Sequence, residues 1–110
     1  MKYLVLLQGL GKPSDFGPYE ADEASRVWEL YTAGTLKEIY LMTDHIGAVI
    51  LLECADRVEA ERLMHSLPMF QAGLFDVTIT SLGLWPEMTR MLREHNLELP
   101  EWWPDMPSER

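Results

Sequence analysis

At 110 residues the chain has the size of one domain, large enough for a single hydrophobic core and below the length at which chains divide. Its 47% apolar content argues against disorder over most of that length. Nine basic against eighteen acidic residues give a formal charge of −9, which repels phosphate backbones and anionic lipid, so no nucleic acid and no membrane surface are expected as partners.

Tyr3 to Leu7 is a continuous apolar run that predicts a first strand. It is too short for a signal peptide, Gln8 interrupts it, and no small-residue cleavage site follows. Gly9, Gly11, Pro13, Ser14, Asp15, Gly17 and Pro18 then predict a long loop of turn residues. Ala24, Val27, Trp28 and Tyr31 recur at helical spacing, predicting a helix from about Glu20 to Ala33 with Gly34 as its left-handed cap.

Leu36 to Thr43 and Gly47 to Cys54 read as strands joined by the short link Asp44-His45-Ile46, which suits a hairpin. Asp56 and Glu59 have capping spacing at the start of a second helix, whose apolar stripe is Val58, Ala60, Leu63, Met64 and Leu67 and which Pro68 stops. Leu74 to Leu82 is the fourth strand, completing a βαββαβ order and hence an α+β, ferredoxin-like fold with a four-stranded antiparallel sheet. Pro86 to His95 predicts a short third helix with proline in its first position. Leu97 to Arg110, with Pro100, Trp102, Trp103, Pro104 and Pro107, predicts no regular structure. Residues 1–85 are thus read as the ferredoxin-like barrel domain and 86–110 as a C-terminal helix and tail.

No run approaches the roughly 20 apolar residues of a membrane span. Cys54, the only cysteine, has no partner for an internal disulfide and lies in an apolar strand as a plain thiol, so a cytoplasmic location is expected. A sheet with helices on one face and water on the other alternates apolar and polar residues, yet Tyr3 to Leu7 and Ala48 to Leu52 do not. Both faces therefore require cover, and two helices supply only one. The simplest second cover is the sheet of a partner subunit, giving a homodimer; the alternative is that the third helix and the tryptophan-rich tail fold back over the open face. Trp85, Trp102 and Trp103 could lid a pocket, swap onto the partner or dock another protein, and packing on a subunit is the expectation.

Ser66-Leu67-Pro68-Met69-Phe70, followed by a strand holding Val77, Ile79 and Leu82, resembles the Ser-Leu-Pro-x-Phe segment of the muconolactone isomerase family of dimeric α+β barrels. Chloromuconolactone dehalogenases are related members, and the likeness, which includes Gly34, covers roughly residues 1–86. It implies enzymes that move a proton along a lactone or expel halide from it, with an acidic residue on the first helix and polar groups on the third strand. Counted from Gly34, the acidic position falls on Glu23. The polar positions fall on Ile46, Ala48 and Ile50, where the family has tyrosine, asparagine and serine. A pocket so altered loses three hydrogen-bonding groups and favours a more apolar ligand, which Trp28 and Tyr40 also suit.

Glu23 is the candidate general base, or a solvated carboxylate in an acidic first turn with Glu20 and Asp22. His65 could exchange a proton with ligand at the barrel mouth, or serve the helix end as a cation; His45, in the hairpin link, is expected at the surface. Tyr40 and Tyr31 could donate to a ligand carbonyl or enolate, or simply pack. Trp28 could line the pocket or belong to the core, Phe70 is expected to line the pocket, and Asp76 and Thr78, in line with Thr80, could polarise a ligand or form a wet sheet face. No ligand spacing for a metal and no phosphate or dinucleotide loop is present, so cofactor-free chemistry is expected. The resulting expectation is a cofactor-free isomerase or cyclase acting by proton transfer on a small, relatively apolar lactone, enol or aromatic compound. The alternatives are a non-catalytic ligand-binding or structural barrel, and a cofactor-independent monooxygenase or haem-handling protein.

Overall fold

The computed structural model describes residues 1–98, so the expectations for Trp102, Trp103 and the prolines beside them lie outside the described residues. Strands β1 (Lys2–Gly9), β2 (Leu36–Leu41), β3 (Gly47–Glu53) and β4 (Phe75–Leu82) form one antiparallel sheet in the order β2-β3-β1-β4. The expected α+β arrangement is present, with each strand boundary within two residues of its sequence reading. Helices α2 (Glu20–Thr32) and α3 (Arg57–His65) make the two crossovers, and α5 (Pro86–Glu94) follows β4.

Strand alternation divides the sheet into two faces. On one, Val5 lies between Ile50 and Ile79, and Leu7 between Ala48 and Val77. These meet Leu30 of α2 and Ala60, Leu63 and Met64 of α3 in the core, where Val5, Ile50, Leu52 and Met64 have no exposed surface. On the other, Leu4 pairs with Leu51 and Leu6 with Val49, flanked by Thr80 and Thr78. That second face keeps Leu4 38% exposed and leaves Leu6, Val49 and Leu51 only partly covered. The only other long helix among the described residues, α5, buries none of its own residues.

The helix ends follow their chemistry. Gly34 has φ +80°, and the Thr35 and Gly34 N–H groups return to the Leu30 and Tyr31 carbonyls, a left-handed cap as expected. Asp56 accepts the Glu59 N–H at 2.8 Å, and Glu59 in turn accepts from the Ala55 N–H at 2.9 Å.

Three sequence expectations need correction. The core-facing side of α2 is Glu23, Arg26, Val27 and Leu30, while Ala24, Trp28 and Tyr31 are exposed; an arc shifted by about one residue position fitted the apolar residues, but polar partners on the neighbouring corner claim the true inner face. The loop after β1 contains helix α1 (Pro13–Phe16) and a 3₁₀ turn (Gly17–Tyr19), because Asp15 caps the Lys12 N–H at 2.8 Å and Phe16 is driven into the core against Phe75. Pro68 does stop α3, but it also opens a short helix α4 (Pro68–Gln71), since its fixed φ and missing N–H suit a first helical position.

Candidate functional site

The corner between α3 and α4 is built by residues 65–70. Leu67 is extended and has no exposed surface, and with Met69 it anchors the corner in the core. The His65 and Phe70 rings stack across the corner at 4.4 Å with only 8° between their planes, and Gln71 donates its side-chain amide to the His65 carbonyl. Buried apolar side chains and a ring clip thus hold the Met69 N–H and the Ser66 hydroxyl outward toward α2.

Helix α2 brings two polar residues, one turn apart, to this corner. Glu23 Oε1 accepts the Met69 N–H at 2.9 Å. Burial pushes the Glu23 carboxyl above its usual range by disfavouring the charged form, and the Met69 N–H opposes that more weakly. Arg26 donates through Nε to Ser66 Oγ at 2.9 Å, Ser66 Oγ donates to the Leu63 carbonyl at 2.6 Å, and Arg26 Nη1 meets Glu29 Oε2 at 3.0 Å. Arg26 was not singled out in the sequence. Its position three residues after Glu23 was the available signal, because both must share a helix face.

The remaining candidates fall into separate places. Ala48 and Ile50 lie on the sheet face beneath the helices, 4% and 0% exposed. Ile46, in the β2–β3 link, is partly buried and its carbonyl accepts the Gly9 N–H at 2.8 Å. Trp28 and Tyr31 stack on each other at 5.7 Å on the outer flank of α2, 64% and 53% exposed. Tyr40 is on the opposite sheet face, beside Val49, and its hydroxyl donates to Glu38 Oε1 at 2.7 Å; that carboxylate raises the phenol pKa. Asp76 and Thr78 are exposed on that same opposite face, paired with Gln8 and Leu6. His45 is at the surface, in contact with Asp44 at 2.7 Å.

The sheet therefore lies between Glu23 on one side and Tyr40, Asp76 and Thr78 on the other. Within one chain they do not form a single site, because strand alternation sends them to different faces. What the structure does bring together is Glu23, Arg26, Ser66 and Met69, while His65 is exposed at the same corner and stacked on Phe70. A half-buried carboxyl with one oxygen fixed and the other available can accept and return a proton. Among the described residues no three His, Cys, Asp or Glu side chains are grouped to hold a metal ion, and no helix is long and apolar enough to cross a membrane.

A crystal structure of muconolactone isomerase superposes with a TM-score of 0.66 at 19% identity, covering 78% of this chain and 92% of that one. The 5-chloro-2-hydroxyhydroquinone dehydrochlorinase of Burkholderia phenoliruptrix AC1100, in complex with 2,5-dihydroxybenzoquinone, superposes with a TM-score of 0.61 at 14% identity, covering 79% of this chain and 98% of that one. At such identities these likenesses establish the fold. No curated protein matches the chain in sequence. The family model described as muconolactone delta-isomerase matches residues 11–88, which include α2, the hairpin, the α3–α4 corner and β4, and the chain belongs to that family.

Proposed function

We propose that this protein is a cofactor-free isomerase or cyclase of the muconolactone isomerase type, moving a proton on a small, relatively apolar lactone, enol or aromatic compound. The observation that carries this reading is Glu23: a half-buried carboxyl with raised proton affinity, at the helix position where the family resemblance places its acid. Glu23 Oε1 is held by the Met69 N–H, leaving Oε2 for chemistry. The carboxylate takes a proton from a carbon conjugated with the substrate carbonyl, the C–H electron pair moves into the enolate, and Glu23, whose acquired proton exchanges with water, delivers a proton to a second carbon of the enolate. Apolar Ala48 and Ile50, where the family has hydrogen-bonding side chains, support a ligand poorer in polar groups than muconolactone. The half-open face of Leu4, Leu6, Val49 and Leu51 supports a homodimer with a second sheet as its cover.

Proton transfer is testable without knowing the natural substrate. Muconolactone and an unsubstituted butenolide, incubated with protein in D2O, are expected to gain deuterium beside the carbonyl, the butenolide preferentially, and Glu23→Gln is expected to reduce the rate by about 10²-fold or more. Equal exchange by the wild type and Glu23→Gln would overturn the role of Glu23.

A second reading is a barrel that binds a ligand or a partner without catalysis. It is favoured by the hydrogen bond Glu23 already makes to Met69, a purely structural use of the carboxylate. Under that reading neither lactone exchanges above the buffer rate, while 2,5-dihydroxybenzoquinone or a similar compound still shifts NMR resonances of α2.

A further inference from the structure

We propose that Arg26 is a positioning residue for Glu23: through Ser66 it holds α2 in the register at which Glu23 Oε1 meets the Met69 N–H. The two polar contacts form an antiparallel ladder, since Glu23 pairs with Met69 and Arg26 with Ser66. Chain direction on α2 runs opposite to that of the corner. Two attachments one turn apart fix both the rotation and the translation of a helix, whereas a single one leaves a pivot. Apolar packing of Val27 and Leu30 is non-directional and tolerates small slides, but hydrogen bonds weaken steeply with distance and angle.

Each member of the Arg26 contact is itself oriented. The Ser66 hydroxyl proton is committed to the Leu63 carbonyl at 2.6 Å, which turns an oxygen lone pair toward Arg26 Nε. Glu29 holds the far end of the guanidinium at 3.0 Å, so its plane is set from both sides. The Arg26 side chain is 28% exposed, a value that fits a half-buried charge-assisted bond better than a free surface cation. The serine of the Ser-Leu-Pro-Met-Phe segment thereby gains a task that its place at a helix end alone does not explain. It receives the arginine that sets the acid.

The consequence for catalysis rests on the reading of Glu23 as the base, but the positioning itself is measurable apart from any substrate. An amide that donates to a carboxylate changes its proton chemical shift when that carboxylate titrates. In the wild type the Met69 amide is expected to follow the same midpoint as the Glu23 side-chain carbon, and Glu23→Gln is expected to abolish that response. Arg26→Gln and Ser66→Ala should each reduce its amplitude about twofold or more, and Ser66→Thr, which keeps a hydroxyl, should restore it.

Wild-type amplitude in folded Arg26→Gln and Ser66→Ala would overturn the proposal; if one of these does not fold, the other decides. A Ser66→Thr variant with an amplitude as low as that of Ser66→Ala would also count against it. Loss of the amide response with no effect of Glu23→Gln on lactone exchange would instead sink the catalytic reading and leave the positioning intact. The two failures are thus told apart.

Discussion

Glu23 and Met69, 46 residues apart in sequence, are joined by a 2.9 Å hydrogen bond from the Met69 N–H to the Glu23 carboxyl. That bond ties the first long helix to the corner formed by the family's most recognisable segment. It also places the carboxyl where burial raises its proton affinity.

A raised folded-state pKa has a fixed consequence for stability. Between the ordinary glutamate value and the raised one, the native protein binds more protons at Glu23 than the unfolded chain does, so stability falls as pH rises through that window. The contribution is fully present below the unfolded value and is lost above the folded one. Glu23→Gln, whose amide oxygen still accepts from Met69, removes this dependence. Urea unfolding at a series of pH values is expected to show the wild type losing stability relative to the Gln variant with rising pH, then a constant difference. A difference independent of pH would show that the carboxyl titrates normally.

Leu51 tests the second subunit. It pairs with Leu4 in the middle of the half-open face, where the proposed dimer places the partner's sheet. A glutamate there would bury a charge without a partner in the dimer, at a cost of several kcal/mol, whereas in a monomer it would face water and meet only the screened repulsion of the cross-strand Glu38. Light scattering at micromolar concentration is expected to give a dimer for the wild type and a monomer for Leu51→Glu, with the circular dichroism spectrum retained. A wild-type monomer would remove the sheet-to-sheet interface.

Much of this molecule was legible in the sequence, and the exceptions share a cause. β1, β3, the left-handed cap at Gly34 and the Asp56 cap follow from local rules, since a continuous apolar run, a positive φ and a helix start each leave a signature over a few residues. The inner face of α2 did not follow, because Glu23 and Arg26 are drawn inward by a serine and an amide forty or more residues later. Periodicity counts apolar residues and is blind to such partners. Tyr40, Asp76 and Thr78 share a sheet face, as the alternation of Asp76, Thr78 and Thr80 implies, but which face Glu23 overlies depends on the pairing register and the helix placement, and these put the sheet between them.

Gly47 is required by closeness rather than by φ. A Cβ there would lie 2.6 Å from the Leu7 carbonyl oxygen and 2.9 Å from Met42 Sδ. The methionine can turn away, but the carbonyl belongs to β1, whose Gln8 pairs with Gly47. Gly47→Ala is therefore expected to destabilise the fold by about 1–3 kcal/mol, read from the urea midpoint. A loss under about 0.5 kcal/mol would mean that this end of the sheet shifts freely.

Phe16 tests whether the segment after β1 is an ordered part of the core. It is 7% exposed, and its ring lies 5.4 Å from that of Phe75 at a tilt of 52°. The local bond from the Lys12 N–H to Asp15, with one long-range bond from the Leu10 N–H to the Leu74 carbonyl, gives a four-residue helix little stability of its own. Phe16→Ala should thus cost about 3–5 kcal/mol if the whole domain feels the cavity, and less if α1 detaches on its own. Hydrogen exchange separates the two cases: global weakening lowers protection in β1 and β4 alike, while detachment raises exchange only across residues 10–19. Phe16→Leu, which refills most of the volume, is expected to recover the greater part of either loss, and a failure to do so would show that the aromatic contact with Phe75, rather than bulk, holds the segment down.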